Sequence, residues 1–143
     1  MTHHALVTGA TSFLGYHVVK RLNQQGIRAR TIELPGANPA PLADLQAEPA
    51  MGTLDDPHAI EQACRGIDTV YHMAFKVSVG GGASEIEEMR RTNVDGTLRL
   101  LETAARSGVS LRMAVARGSQ RRRRASFPWP VRLNQSASVS PVG

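Results

Sequence analysis
Short apolar runs alternate with helix-like stretches over the first 110 or so residues, and this predicts an α/β chain built on a parallel sheet. Three observations carry the prediction. Residues 5–8, 27–34, 67–74 and 109–116 read as strands, with a weaker one near 49–53. Segments of helical spacing or loop separate them, as in successive βαβ units. A glycine-bearing turn, Gly9 to Gly15, joins the first strand to the first helix. Right-handed crossovers then wind the sheet in both directions, in the order 3-2-1-4-5, with a crevice beside strand 1 where the order reverses.

Each element has a local reason. Ala5-Leu6-Val7-Thr8 is the kind of run found in a strand buried on both faces. Residues 14–25 carry Leu14, Val18, Val19 and Leu22 at helical spacing, and Gly26 stops that helix. Pro35, Pro39 and Pro41 mark 35–43 as loop. Pro49 cannot donate to a ladder, so strand 3 belongs at a sheet edge. Asp56-Pro57 supplies a capping acid followed by proline at the first helical position, and that helix runs to about Arg65 before Gly66. After strand 4, Gly80-Gly81-Gly82 reads as a flexible loop. Ser84 and Glu87 have the spacing of a capping box. The helix they open is expected to reach Arg106, with Met89, Val94, Leu98 and Leu101 on its apolar positions and Gly108 at its close.

The 143 residues suit one domain. Charge is unevenly placed. Residues 1–111 hold ten basic and all twelve acidic side chains, a net −2, whereas 112–143 hold seven arginines and no acid, a net +7. The basic character therefore belongs to the tail and says little about partners of the folded part. Cys64 is the only cysteine, so no intramolecular disulfide can form, which fits the cytoplasm. No basic-then-apolar leader opens the chain, and no stretch approaches the ~20 apolar residues of a membrane span. His3-His4 lacks nearby metal-ligating partners and reads as a solvated strand start.

The turn Thr8-Gly9-Ala10-Thr11-Ser12-Phe13-Leu14-Gly15 has a phosphate-binding logic. Gly9 permits the turn off the strand, Gly15 permits close packing of the helix, and the N–H groups of the helix start face an anion. With its context this turn resembles the opening T-G-x-x-G-x-x-G of the extended short-chain dehydrogenase/reductase family, also called the NAD-dependent epimerase/dehydratase family. Ser12 stands where that pattern has its middle glycine, where it either crowds the pyrophosphate or offers it a hydroxyl. Three later segments repeat the resemblance in order. Gly52-Thr53-Leu54-Asp55-Asp56 is similar to G-D-L-x-D, with Thr53 in place of the aspartate that contacts adenine. Tyr71-His72-Met73-Ala74 is similar to H-x-A-A. Asn93-Val94-Asp95-Gly96-Thr97 matches N-V-x-G-T.

The resemblance covers roughly residues 4–110 and implies a Rossmann-type sheet, incomplete at its far side. It implies a dinucleotide site built from Gly9, Thr11, Ser12, Phe13, Leu14, Gly15, Glu33, Thr53, Leu54, Met73 and Ala74. In the family the asparagine matched by Asn93 kinks its helix and helps hold a proton-relay water. Glu33, seven residues after Gly26, stands where NAD-preferring members carry an acid for the ribose hydroxyls. Arg28 and Arg30 are near enough in sequence to serve the 2′-phosphate of NADP instead. NAD is the expected cofactor, with NADP as the alternative.

The family's redox step uses a tyrosine and lysine spaced Y-x-x-x-K after strand 5. No tyrosine or lysine occurs beyond residue 110. Tyr16 to Lys20 has the spacing but falls in the first helix, beside the phosphate end. Cys64 has little to support it as a nucleophile. The expected division is a nucleotide-binding part over 1–116 and a basic, disordered tail over 117–143. The abrupt Arg-, Pro- and Ser-rich composition after Leu111 reads as a truncated or frameshifted family member. Full-length relatives would act on a sugar nucleotide or a secondary alcohol and leave room for a homodimer, but this chain is expected to be inactive. Two other readings stand beside it: a non-catalytic dinucleotide-binding module, and polyanion binding through Arg121 to Arg124, with nucleic acid not expected as a partner.

Overall fold
A computed structural model describes residues 4–113, apart from 39 and 79. The tail over 117–143, with Arg121 to Arg124, lies outside the described residues, as do His3 and positions 114–116 of the expected fifth strand.

Strand β1 (His4–Thr8) pairs in parallel with β2 (Arg28–Glu33) on one side and β4 (Thr69–His72) on the other. β3 (Ala47–Met51) adds outside β2, and β5 (Ser110–Met113) outside β4. The order β3-β2-β1-β4-β5 is the doubly wound order the sequence predicts. Pro49 lies opposite Thr31 on the edge strand, where its missing N–H breaks no ladder.

Among the described residues α1 (Phe13–Gln24), α2 (Pro57–Cys64) and α4 (Gly96–Arg106) pack on the sheet, and α3 (Ala83–Arg90), which buries no residue, leads toward α4. Strand periodicity divides the core into two faces. Ala5 and Val7 of β1 pack toward α1 with Val19 and Leu22. Leu6 faces the other way and packs with Ile60, Val70 and Leu100 beneath α2 and α4. Cys64 joins this second cluster, 2% exposed, so it points inward from its helix, and burial pushes its thiol up, away from thiolate. Gly26, Gly66 and Gly108 follow α1, α2 and α4 with φ between 67° and 71°, the left-handed exit a side chain resists.

Helix starts agree with expectation at α2 and depart from it at α3. Asp56 accepts from the His58 amide at 2.9 Å ahead of Pro57. The Ser84–Glu87 capping box does not form. α3 starts two residues earlier, with Gly82 in place of Ser84 at the cap and no side-chain bond there. Glu87 instead takes two hydrogen bonds from Arg90, at 2.8 and 3.0 Å, and a charge-assisted pair of that kind outcompetes a backbone amide. The long helix expected to reach Arg106 is interrupted by a π turn over Arg91–Asp95. Among the described residues no helix is long and apolar enough to cross a membrane, and no cluster of three His, Cys, Asp or Glu could hold a metal.

Candidate cofactor cleft
The carboxyl ends of β1 to β4 open into one cavity of about 590 Å³, within the range of small-molecule sites. It lies where the sheet's winding reverses, between β1 and β4.

Its floor comes from the β1–α1 turn: Thr8, Gly9, Thr11 and Ser12 line it. Gly9 has φ +68°, and a Cβ there would stand 2.7 Å from the Ala74 amide nitrogen, so the turn and the β4 end meet backbone to backbone. A Cβ on Gly15 would collide with the Gly9 carbonyl oxygen, which is why the first turn of α1 can sit down on the loop. Ser12 is the N-cap of α1: its hydroxyl donates to the Gly9 carbonyl (2.7 Å) and accepts from the Gly15 amide (3.1 Å). Its proton is therefore used inside the turn, whereas the sequence left it open to a phosphate. The first turn of α1 holds no acid, so the positive end of its dipole is uncompensated at the cavity. Phe13, Leu14 and Gly15 stay out of the cavity wall. Phe13 is 85% exposed and meets His17 edge-on, with centroids 4.7 Å apart.

One end of the cavity is made by β2 and β3. Glu33 closes β2, 7% exposed, and its Oε1 is buried, with only the Thr31 hydroxyl of the same strand near enough to offset that burial. Burial pushes the Glu33 carboxyl above its usual range, offset only in part by the Thr31 hydroxyl. Arg30 is turned away. It donates to the carbonyls of Ala63 (3.0 Å) and Arg65 (2.8 Å) and pairs with Glu48, so it closes the end of α2 and is not in the cavity wall. Thr53, Leu54 and Asp55 line the β3 side. Thr53 Oγ1 accepts from the Asp55 amide at 3.1 Å. Asp55 is held by Arg91 (3.5 Å) and Arg99 (3.3 Å). Leu54 sits over Gly96, where a Cβ would approach it to 2.8 Å, so this loop rests directly on α4.

The other end follows β4. Met73 and Ala74 line it, as expected from sequence, and so do Phe75 and Lys76, with Glu88 and Thr92 opposite. Sequence reasoning missed these last four, although Phe75 and Lys76 directly follow the recognised segment. Lys76 Nζ lies 2.6 Å from Glu88 Oε1. Asn93 does not line the cavity. Its Oδ1 accepts from the Lys76 amide (2.8 Å) and its Nδ2 donates to the Lys76 carbonyl (2.7 Å), so from the π turn it clamps the cavity's rim.

Neither tyrosine is placed as a base at the cleft. Tyr16 donates to Asp44 at 2.8 Å, and that bond, with burial and the carboxylate's charge, pushes its phenol above the ordinary value. Lys20 stands over the same ring at 5.8 Å. Tyr71 lies on the face toward α1, in a shallow groove with His17 and Arg21.

A parallel sheet of this order, with a glycine turn and a cleft at its reversal point, defines a Rossmann-type nucleotide-binding α/β domain. The chain belongs to the NAD dependent epimerase/dehydratase family, which residues 5–120 match. It is 38% identical over 104 residues to "Sterol demethylase protein B" of Methylococcus capsulatus, covering 73% of this chain and 31% of that protein. It is 36% identical over 109 residues to the "3 beta-hydroxysteroid dehydrogenase/Delta 5-->4-isomerase" of Mycobacterium tuberculosis, covering 73% and 29%. Among solved structures it resembles a short-chain dehydrogenase/reductase superfamily protein from Agrobacterium tumefaciens with bound NAD (TM-score 0.64, 32% identity, 75% of this chain and 30% of that one). It also resembles the Thermus thermophilus UDP-glucose 4-epimerase complex with NAD (TM-score 0.66, 27% identity, 76% and 36%). The chain thus spans about 30% of the length of these curated relatives.

Proposed function
We propose that this chain is the NAD-binding part of an extended short-chain dehydrogenase or epimerase, and that it binds NAD in preference to NADP. The observation that carries the reading is Glu33: a buried carboxylate at the end of β2 that lines a cavity of ligand size and whose burial only the Thr31 hydroxyl of its own strand offsets. A buried acceptor left unmade costs about 1–3 kcal/mol, and the hydroxyls of an adenosine ribose are donors of the right kind. The diphosphate would lie over Gly9 to Ser12, against the start of α1, with Thr53 and Leu54 on the adenine side and Met73 and Ala74 beneath the far ribose. Phe13, Leu14 and Gly15 contribute through the backbone of the α1 start. NADP fits less well, because its 2′-phosphate would meet Glu33, and Arg30 is engaged elsewhere.

A bound NAD supplies a hydride acceptor or donor; the residues described here bind and orient it. The longer proteins built on this domain would act on a secondary alcohol or a sugar nucleotide, the classes that the relatives' names span. The 143-residue chain would bind without turnover, since Tyr16 is tied to Asp44 and no Y-x-x-x-K pair follows β5. The single cysteine and the absence of an apolar span favour the cytoplasm. Calorimetric titration of the chain with NAD and NADP tests the reading: measurable NAD binding, tighter than NADP, is expected, and equal or tighter NADP binding would remove the role given to Glu33.

A further inference from the structure
Behind the cleft, a chain of hydrogen bonds joins the end of β1 to the rim loop after β4. Thr8 Oγ1 lies 2.6 Å from His72 Nδ1, and His72 Nε2 lies 2.9 Å from Thr97 Oγ1. Thr97 Oγ1 donates to the Asn93 carbonyl at 2.7 Å, and the Asn93 side chain grips Lys76. Thr8 Oγ1 also accepts from the Ala74 amide at 3.2 Å and shares the Met73 amide (3.2 Å) with the Thr8 carbonyl (3.1 Å).

Counting protons favours one arrangement. A carbonyl cannot donate, so the Thr97 hydroxyl proton goes to Asn93, and toward His72 the Thr97 oxygen only accepts. His72 Nε2 must carry a hydrogen. Thr8 Oγ1 already accepts the Ala74 amide and part of the Met73 amide, which leaves its own proton for His72 Nδ1, and that nitrogen is then bare. The ring is therefore neutral, with its hydrogen on Nε2. We propose that His72 is a positioning residue of the cleft, whose single neutral tautomer fixes Thr8, and through it Met73 and Ala74, against the π turn that holds Lys76. The proposal rests on the cofactor reading for its effect on NAD, but not for the state of the ring.

The surroundings agree. His72 is 1% exposed, and the groups that meet its ring are Thr8, Thr97 and the tilted Phe75 ring, none of them charged. Burial holds its imidazole below the ordinary value, which favours the neutral form. A second proton, on Nδ1, would compete with the Ala74 and Met73 amides for the Thr8 hydroxyl oxygen.

Nitrogen-15 NMR of the histidine rings in the 143-residue chain tests this without cofactor. His72 should show a protonated Nε2 and a bare Nδ1, and should stay neutral through about pH 6.5, where an unperturbed imidazole gains its proton. Thr97→Val keeps the side-chain shape and removes the acceptor. It should mix the tautomers and speed amide exchange at Met73 and Ala74, and Thr97→Ser should restore both. Thr97 is outside the cavity wall, yet Thr97→Val should weaken NAD binding about five- to tenfold, the loss of roughly one hydrogen bond. An Nδ1–H tautomer in the parent chain, or unchanged tautomer and exchange in Thr97→Val, would overturn the proposal. Failure of the parent chain to bind NAD would instead count against the cofactor reading, leaving the ring and exchange measurements to decide this one.

Discussion
Replacing Glu33 with glutamine tests the cleft at its most informative residue. The variant keeps the shape and removes the charge. A hydrogen bond to a charged acceptor contributes about 1.5–3 kcal/mol, so losing one such bond to the ribose should weaken NAD binding roughly 10- to 100-fold. NADP moves the other way. Its 2′-phosphate within about 4 Å of a carboxylate costs about 4 kcal/mol at an effective dielectric near 20, and glutamine removes that repulsion. The ratio of NAD to NADP affinity should therefore fall by more than the NAD loss alone. Acid should mimic the change. Burial raises the Glu33 carboxyl, so NAD affinity in the parent chain should drop as pH falls through that raised value, while the Gln variant stays flat. Stability has the opposite sign. A carboxyl raised by folding penalises the charged folded state at neutral pH, and the penalty vanishes below the unfolded value. Glu33→Gln should thus be more heat-stable at neutral pH by about 1 kcal/mol, with the gain shrinking in acid. Calorimetric titration with both cofactors and thermal melts across pH read all three effects. Unchanged affinities for both cofactors would refute the placement of the ribose at Glu33.

Other substitutions probe the frame around it. Gly15→Ala should lower stability by about 2 kcal/mol or more and abolish NAD binding, because its Cβ collides with the Gly9 carbonyl; melts and titration check this. Asn93→Ala should free the Lys76 loop, seen as faster amide exchange at Lys76 and weaker NAD binding, at a stability cost of about 1–3 kcal/mol. Arg30→Met should cost about 1 kcal/mol of stability by leaving the Ala63 and Arg65 carbonyls bare, yet leave NADP affinity unchanged, which separates it from any phosphate-binding role. Incubation of the 143-residue chain with NAD and a panel of secondary alcohols and nucleotide sugars should give no cofactor reduction above background; turnover abolished by Tyr16→Phe or Tyr71→Phe would show that one of these tyrosines is the base.

Much of the fold was legible because its signals are local. Pro49 announced an edge strand, Asp56-Pro57 a helix start, and Gly26, Gly66 and Gly108 the helix ends, each through backbone chemistry within a few residues. Ser84 and Glu87 misled for the same reason. The spacing was right, but Arg90, three residues on, was the stronger partner for Glu87. The π turn over Arg91–Asp95 left no mark on apolar periodicity, and only the family resemblance at Asn93 hinted at it. What the sequence hid was mainly long-range. Arg30 reaches carbonyls 33 and 35 positions away, and Thr8 meets His72 across 64. Such pairings exist only once the sheet is assembled, so no local pattern could place Arg30 away from a phosphate or reveal the bracket behind the cleft.

Titration of the isotopically labelled 143-residue chain with NAD, followed by backbone amide NMR, locates the cofactor on the sheet. Saturable shifts are expected at Gly9, Thr11, Ser12, Leu34, Thr53 and Ala74, around the carboxyl ends of β1 to β4, with little change at His17, Arg21 and Gln25 on the far side of α1. Saturable shifts confined to that far side, or no shifts at millimolar NAD in a folded sample, would contradict that placement.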